Sequence, residues 1–280
     1  MKDPQVIPID EAVARLDAFD AIVDARSPSE FGEDHLPGAI SAPVLDDAER
    51  ALVGTIHKQQ SAFEARRTGA AIVARNVGTL IDRLFGDRPH DWRPLVYCWR
   101  GGNRSGALAT VFARIGWRTA VIEGGYRAFR RRALEDIARW PAGLRLHVLA
   151  GRTGTGKSLI LQQLAADGAQ VLDLEAIACH RGSVLGLMPQ SQQPSQKAFE
   201  TGLWDAMRRF DPARPVFVES ESRRVGRCHV PDALIAAMRA APCTRVEASV
   251  PVRAALLLRE YRHFTADPAL VPSLTAESPL

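Results

Sequence analysis

The run Cys98-Trp99-Arg100-Gly101-Gly102-Asn103-Arg104-Ser105 combines a thiol with the groups that hold a tetrahedral anion. Its two glycines let successive backbone N–H groups turn toward one centre, and the helical pattern that follows adds the positive end of a helix. Arg104 can bind two oxygens of such an anion. These groups stabilise a thiolate. We therefore predict that Cys98 is a nucleophile within an anion loop formed by Arg100, Gly101, Gly102, Arg104 and Ser105.

A second anion motif lies further along the chain. The run Gly151-Arg152-Thr153-Gly154-Thr155-Gly156-Lys157-Ser158 fits the phosphate-binding loop pattern G-x-x-x-x-G-K-[ST]. Backbone N–H groups around Gly151, Gly154 and Gly156 would wrap a diphosphate, Lys157 would neutralise the outer phosphate, and Ser158 could hold Mg²⁺. The motif predicts a bound di- or triphosphate more firmly than it predicts ATP hydrolysis.

Carboxylates follow two predicted strands of the same region. A protein that hydrolyses nucleotides needs a carboxylate at a strand end to hold the metal through water. Four residues could serve, with no preference among them: Asp173, Glu175, Glu219 and Glu221. The pairs Cys179-His180 and Cys228-His229 are not expected to bind metal, because adjacent residues point in different directions.

Short apolar runs alternate with helical patterns in both halves of the chain, which predicts an α/β protein with parallel sheets. The predicted strands are Ala21 to Asp24, Leu95 to Tyr97, Ala120 to Ile122, Leu144 to Ala150, Ala169 to Leu172, Val216 to Val218 and Val246 to Val250. The turn at Trp140-Pro141-Ala142-Gly143 breaks the alternation. We predict one domain over residues 1–140, a P-loop NTPase-like domain over 144–265, and a loose tail over 266–280.

Composition excludes several classes of protein. The chain has 280 residues, of which 46% are hydrophobic and 24% charged, as in a globular domain pair. No apolar run is long enough to span a membrane, and because Met1-Lys2-Asp3-Pro4 lacks an apolar region we expect no secretory signal. Four cysteines without paired spacing argue against a disulfide scaffold. We expect a cytoplasmic protein without membrane association, and the net charge of +4 is only a weak indication of nucleic-acid binding.

The first domain resembles a rhodanese. The resemblance is found in Asp24-Ala25-Arg26-Ser27-Pro28 with Glu30-Phe31, in His35-Leu36-Pro37-Gly38-Ala39, in the Cys98 loop, and in Glu123-Gly124-Gly125-Tyr126. Rhodaneses transfer sulfur, or its heavier congener, on the loop cysteine. The loop here is one residue longer than the usual rhodanese loop and has the C-x5-R-[ST] form of cysteine phosphatases, which would suit a larger tetrahedral anion.

The combination of both domains resembles the tRNA 2-selenouridine synthase family. Supporting segments of the first domain are Glu49-Arg50, Val53-Gly54-Thr55, Lys58-Gln59 and Ala74-Arg75-Asn76. Those of the second are Asp173-Leu174-Glu175, His180-Arg181-Gly182-Ser183, Gln193-Pro194-Ser195-Gln196 with Phe199-Glu200, and Glu219-Ser220-Glu221-Ser222-Arg223. The resemblance extends over residues 18–264. It adds His180, Arg181 and Arg223 to the candidate site of the second domain.

The resemblance implies a two-step modification of a wobble uridine in the anticodon loop of tRNA. Geranyl diphosphate first alkylates the 2-thio group, and selenium from selenophosphate then displaces the alkylated sulfur. On this basis Cys98 would hold selenium as a selenylsulfide, Arg104 and the Gly101-Gly102 amides would bind the phosphate of selenophosphate, and Gly156, Lys157 and Ser158 would bind geranyl diphosphate. No tightly bound cofactor is expected beyond Mg²⁺ at Ser158, and a selenophosphate-supplying enzyme is an expected partner.

The resemblance also leaves alternatives. The chain ends soon after Tyr261-Arg262-His263-Phe264, where family members continue into a helical segment, so a truncated module that binds without catalysis is one alternative. Another is a rhodanese-type sulfurtransferase or a cysteine phosphatase with a nucleotide-binding regulatory domain. A phosphatase also needs a general acid, and no carboxylate lies within residues 98–105.

Overall fold

The structure, a computed structural model, describes residues 3–181 and 192–260. It consists of two compact units, Met1–Arg132 and Ala133–Leu280. The predicted tail over 266–280 lies outside the described residues. The segment Trp140–Gly143, predicted to separate the domains, forms a short helical turn.

The first unit is built on a parallel sheet of five strands in the order β1-β5-β4-β2-β3. The strands are β1 (Gln5–Ile7), β2 (Ala21–Asp24), β3 (Ala39–Ser41), β4 (Pro94–Tyr97) and β5 (Ala120–Ile122). The helices are α1 (Ile9–Ala14), α2 (Pro28–Glu33), α3 (Asp47–Gln59), α4 (Ala62–Leu80), α5 (Asn103–Ile115) and α6 (Gly125–Arg139), the last of which continues into the second unit.

The central strand β4 is buried along its whole length. Strands of parallel sheets are covered on both faces, and for this reason their sequences are continuous apolar runs. At one end of the sheet, four aromatic rings pack together at centroid distances of 4.9–5.5 Å, and four of their five ring pairs are edge to face: Phe85, Trp92, Phe112 and Trp117. This packing fixes β4 and α5, and thereby the loop between them.

The second unit contains a parallel sheet of four strands in the order β11-β6-β8-β7 and a separate antiparallel ribbon of β9 and β10. The strands are β6 (Arg145–Ala150), β7 (Gln170–Leu172), β8 (Pro215–Glu219), β9 (Arg224–Val225), β10 (Cys228–His229) and β11 (Cys243–Arg245). The helices are α7 (Lys157–Ala166), α8 (Leu174–Ile177), α9 (Gln196–Met207), α10 (Asp232–Ala240) and α11 (Val250–Glu260). The predicted α/β architecture with parallel sheets is confirmed in both units.

The strand predicted over 246–250 is wrong. The edge strand β11 begins three residues earlier and ends at Arg245, and α11 starts at Val250. Pro251 lies in the first turn of that helix, where its fixed φ angle favours helix initiation and its missing N–H has no helical acceptor to lose. The apolar residues Val246 and Val250 therefore belong to a connection and a helix start rather than to one strand.

Among the helices that the structure describes, none has the length and apolar character required to cross a bilayer.

Candidate functional site

Cys98 directly follows β4, at the carboxyl end of the first sheet, where parallel sheets bind ligands. Cys98 is only 3% exposed and packs on one side against the apolar core. Its sulfur nevertheless accepts a hydrogen bond from the hydroxyl of Ser105, in the first turn of α5, at an Oγ–Sγ distance of 3.1 Å. The Ser105 hydroxyl therefore provides this buried sulfur with a hydrogen-bond donor.

The backbone between Cys98 and Ser105 has unused donors. The amide N–H groups of residues 99–105 donate to no acceptor within the described part of the chain. They include the first-turn amides of α5, which have no intrahelical acceptor. Amides grouped in this way form a positive cradle for an anion, as the sequence predicted.

A turn that follows β5 supports this loop from below. The amide of Tyr126 donates to the carbonyl of Cys98 at 2.8 Å, and the amide of Arg127 to that of Trp99 at 3.1 Å. At Gly125, with φ of 56°, a Cβ atom would lie 2.2 Å from the Cys98 carbonyl oxygen. Glycine is therefore required where the turn meets the loop, a role that the sequence did not reveal.

The two glycines of the loop differ. Gly101 has a φ of 66°, and a Cβ atom there would lie 2.5 Å from the carbonyl oxygen of Ile122. Gly102 has a φ of −106° and precedes α5, and a Cβ atom there would meet nothing within 4 Å. Only Gly101 is thus required by backbone geometry. Arg100, between the aromatic Trp99 and these glycines, is exposed.

Arg104 is bound at both terminal nitrogens by Glu30 of α2. The Nη1–Oε2 distance is 2.5 Å and the Nη2–Oε1 distance is 3.2 Å. A guanidinium has five N–H donors, so Nε and the remaining Nη hydrogens stay available for an anion. Arg104 thus has a carboxylate partner that its own motif did not indicate, although Glu30 lies in a segment that resembles rhodaneses.

The charge state of Glu30 follows from its contacts. Burial raises the pKa of this carboxyl, but the hydrogen bond and charge of Arg104, together with hydrogen bonds from Ser27, lower the pKa by more. Its net pKa therefore lies below the ordinary glutamate value. Glu30 also completes the capping box that begins α2, because it accepts from the Ser27 amide at 3.1 Å.

A buried ion pair fixes the neighbouring loop after β2. Arg26 donates to Asp24 through Nε at 3.0 Å and Nη2 at 2.6 Å, and both residues are at most 1% exposed. The guanidinium also lies 4.0 Å from the ring centroid of Tyr126, whose hydroxyl donates to Asp34 at 2.8 Å. Burial raises the pKa of Tyr126, so this hydroxyl remains a donor. The pair connects the loop after β2 to the turn beneath the Cys98 loop.

The second motif forms the turn between β6 and α7, as the phosphate-binding pattern requires. Gly154 and Gly156 have φ angles of 80° and 88°. The amides of residues 153, 154, 156, 157 and 158 donate to no described acceptor. Lys157 turns back to its own loop, with its Nζ atom 2.9 Å from the carbonyl oxygen of Gly151.

Helix α11 packs over this loop. The Nε atom of Arg253 donates to the Thr153 carbonyl at 3.0 Å, and a Cβ atom at Gly154 would lie 2.8 Å from Leu257. The loop geometry therefore depends on a helix about one hundred residues away in sequence, which no motif indicated.

The strand order of the second sheet brings predicted carboxylates to the same edge as the phosphate-binding loop. Ser158 donates to Glu175 at 3.1 Å, and the Glu175 amide donates to Glu219 at 2.9 Å. Glu219 is 2% exposed, and its Oε2 atom has no hydrogen-bond partner within the described part of the chain. Asp173 caps α8, and its charge acts on both glutamates.

Burial controls the protonation of this group. It raises the pKa of Glu175 to about 7, with a further contribution from the charge of Glu221. Burial together with the charge of Asp173 raises the pKa of Glu219 to about 8. The pKa of Glu221 is also raised by burial, against the opposing charge of Lys157. Glu175 and Glu219 therefore carry less than their full negative charge near neutral pH.

The other residues predicted for the site of this unit are His180, Arg181 and Arg223. The His180 amide donates to the Glu175 carbonyl at 3.0 Å, and burial lowers the pKa of its imidazole. Arg223 forms an exposed ion pair with Asp232 at 3.1 Å. Arg181 is partly exposed beside the end of the described segment. Within residues 3–181 and 192–260, no three His, Cys, Asp or Glu side chains are grouped so that they could hold a metal ion.

The fold and the two loops define a rhodanese-like domain followed by a P-loop domain. The rhodanese-like domain family matches residues 9–132, and the tRNA 2-selenouridine synthase AAA domain matches residues 144–270. The chain belongs to the tRNA 2-selenouridine synthase family, which confirms the resemblance found in the sequence.

Two named relatives show the extent of the similarity. A tRNA 2-selenouridine synthase of Nitrosomonas europaea is 34% identical over 265 residues, covering 93% of this chain and 68% of the relative. One of Marinobacter nauticus is 32% identical, covering 86% of this chain and 65% of the relative. The chain thus spans about two thirds of the length of these relatives. A solved rhodanese-related protein from Thermoplasma volcanium is 16% identical with a TM-score of 0.31, covering 46% of this chain and 92% of that protein.

Proposed function

We propose that this chain converts a 2-thiouridine at the wobble position of tRNA into 2-selenouridine through an S-geranyl intermediate. The observation that supports this most is the presence of two amide-lined loops with different reactive groups. One contains a nucleophilic sulfur, Cys98, and the other a cation, Lys157, which matches one loop to each co-substrate. Membership in the tRNA 2-selenouridine synthase family supports the conversion to 2-selenouridine.

In the first step, the 2-thio sulfur of the base attacks the C1 carbon of geranyl diphosphate, the C1–O bond breaks, diphosphate leaves, and the base releases its N3 proton. The free amides of the phosphate-binding loop would hold this diphosphate, and Lys157 would exchange the Gly151 carbonyl for a phosphate oxygen. The reduced charge on Glu175 and Glu219 limits their repulsion of the diphosphate.

The side chains around Lys157 fit a magnesium ion in their donor chemistry. The hydroxyl of Ser158 and, once deprotonated, the carboxylates of Glu175 and Glu219 are hard oxygen donors. One oxygen of Glu219 has no hydrogen-bond partner among the described residues. Ser158 would hold the ion, with the carboxylates acting through water. The ion would supply positive charge to the diphosphate.

In the second step, selenium delivered from selenophosphate displaces the alkylated sulfur. The C2–S bond of the base breaks, a C2–Se bond forms, and geranylthiol leaves. Alkylation makes this sulfur a better leaving group than the thiocarbonyl. Selenophosphate would bind at the Cys98 loop, with its phosphate held by the amides of residues 99–105 and the side of Arg104 that Glu30 leaves open.

The proposal also includes partners and location. The macromolecular substrate would be the anticodon loop of a thiolated tRNA. A selenophosphate-supplying enzyme would provide the selenium donor, and the reaction would take place in the cytoplasm.

Variants that separate the two half-reactions test the proposal. With the full chain, thiolated tRNA and both co-substrates, Cys98→Ala should abolish selenation while S-geranylation persists. Lys157→Ala should impair S-geranylation first, and Lys157→Arg should keep part of it. Cys243→Ala removes an exposed cysteine and serves as the control. Selenation by the Cys98→Ala variant, measured by mass spectrometry of tRNA nucleosides, would contradict the proposal.

A further inference from the structure

The oxidation level of selenium restricts the chemistry of Cys98. Selenium is equally reduced in selenophosphate and in 2-selenouridine. A selenylsulfide on Cys98 would contain selenium that is two electrons more oxidised, so that route needs an oxidant and afterwards a reductant. A route that keeps selenium reduced needs neither.

We infer that Cys98 attacks the phosphorus of selenophosphate rather than its selenium, which rests on the function proposed above. An Sγ–P bond forms, the P–Se bond breaks, and selenium leaves with the bonding electron pair as hydroselenide. Water then attacks the phosphocysteine, its oxygen bonds to phosphorus, and the Sγ–P bond breaks, so that phosphate leaves with both protons of the water and the Cys98 thiolate is released. Hydroselenide displaces geranylthiolate from C2 of the base, so atoms and electrons balance with selenophosphate and water alone.

The loop has the parts that phosphoryl transfer needs. The free amides of residues 99–105 can hold the three phosphoryl oxygens, and five residues separate Cys98 from Arg104. The hydroxyl of Ser105 lies 3.1 Å from the Cys98 sulfur and 3.3 Å from the Gly102 carbonyl oxygen. The hydroxyl can thus donate its hydrogen bond to the Gly102 carbonyl while sulfur is bonded to phosphorus, and to the sulfur when the thiolate departs.

Hydroselenide as the leaving group explains why residues 98–105 contain no general acid. An ester phosphatase needs a general acid to protonate its departing alkoxide. Glu30 approaches the loop, but Arg104 holds it ionised, so it cannot donate a proton. Hydroselenide is a stable anion at neutral pH and leaves without protonation. The site therefore fits a phosphorus–selenium bond better than a phosphate ester.

Element-specific labels distinguish the two routes, since phosphoryl and selenium adducts have nearly equal masses. The full chain is incubated with selenophosphate labelled with phosphorus-32 or with selenium-75 and quenched in acid. We expect phosphorus-32 on the protein, its loss in Cys98→Ser, and its retention in Cys243→Ala. Ser105→Ala should retain roughly tenfold more phosphorus-32, because departure of the thiolate loses its hydrogen bond.

Each other outcome has a definite meaning when tRNA selenation is measured in parallel. Selenium-75 on Cys98 without phosphorus-32 overturns the inference and leaves the proposed function standing. Selenation without any label on the protein, in either wild type or Ser105→Ala, does the same. No selenation of geranylated tRNA and no label overturns both.

Discussion

Glu30 holds Arg104 through both carboxylate oxygens, at 2.5 and 3.2 Å, from a helix that precedes the Cys98 loop by about seventy residues. The same Glu30 oxygen that lies closer to Arg104 also accepts from Ser27. One carboxylate thus joins the start of α2 to the arginine of the anion loop. The orientation of Arg104 is set before any anion binds.

Replacing Glu30 by glutamine should therefore affect both stability and anion binding. The variant leaves the mostly buried guanidinium of Arg104 without a negative partner among the described residues, and we expect a loss of about 2 kcal/mol in the free energy of unfolding at pH 7. The KM for selenophosphate should rise roughly tenfold while S-geranylation is unaffected. Denaturant unfolding and half-reaction kinetics measure the two effects.

The pH dependence of the free energy of unfolding tests whether the Glu30→Gln variant is less stable because it lacks the ion pair with Arg104. The pKa of Glu30 is lowered in the folded protein, so its stabilising contribution is present above the unfolded pKa and disappears as pH falls through the folded pKa. The stability difference between wild type and Glu30→Gln should accordingly shrink below about pH 4. Glu123→Gln, an exposed glutamate of the same unit, should match wild type throughout. A difference that grows on acidification would contradict the ion-pair explanation.

Two adjacent glycines should respond differently to alanine. Gly101→Ala places a Cβ atom 2.5 Å from a backbone carbonyl oxygen at a φ of 66°, so we expect about 2 kcal/mol of destabilisation and slow alkylation of Cys98 by iodoacetamide. Gly102→Ala meets nothing within 4 Å and should keep wild-type stability. Thermal unfolding and alkylation rates compare them. Equal sensitivity of both positions would show that the loop is not fixed by the turn at Gly125.

Because the pKa of Glu219 is raised in the folded protein, we expect the free energy of unfolding to fall as pH rises. Its folded pKa of about 8 lies above the unfolded value, so the folded state binds more protons than the unfolded state between about pH 4.5 and 8. The stabilising contribution is complete below the unfolded pKa and is lost as pH rises through the folded pKa. Glu175, with a pKa of about 7, acts in the same direction.

Glu219→Gln should flatten this dependence, because the amide is a neutral group of the same shape that still accepts from the Glu175 amide. At pH 9 we expect the variant to be on the order of 1–3 kcal/mol more stable than wild type. Urea unfolding monitored between pH 5 and 9 measures the difference. Glu247→Gln, with a side chain 72% exposed, is the matched control. A steeper fall in the Glu219→Gln variant would contradict the raised pKa.

The sequence predicts local elements better than the contacts between them. Apolar runs that end in glycine-rich turns predict the strands before Cys98 and before the phosphate-binding loop of Lys157. The structure confirms both strands. The pairing of Glu30 with Arg104 depends on sheet order, which places the loop after β2 beside the loop after β4. Periodicity contains no information on such order. The roles predicted for the site residues remain predictions.

The misplaced strand at 246–250 has a related cause. Val246, Val250 and the residues between them alternate in polarity, which is typical of a half-buried strand. Their actual position is set by packing of α11 on the phosphate-binding loop, where Leu257 approaches Gly154. Tertiary contacts of this kind outweigh a weak local pattern, and a single sequence does not display them.

Arg253 of α11 contacts the phosphate-binding loop through the Thr153 carbonyl. This bond of 3.0 Å holds the phosphate-binding loop in place from α11. Arg253→Gln should loosen the loop, so that binding of inorganic diphosphate has to order it, and we expect affinity to fall roughly fivefold to tenfold. Arg259→Gln, an exposed residue of the same helix, should bind as wild type does. Calorimetric titration of the full chain measures both. Equal affinities for Arg253→Gln and Arg259→Gln would show that α11 covers the loop without organising it.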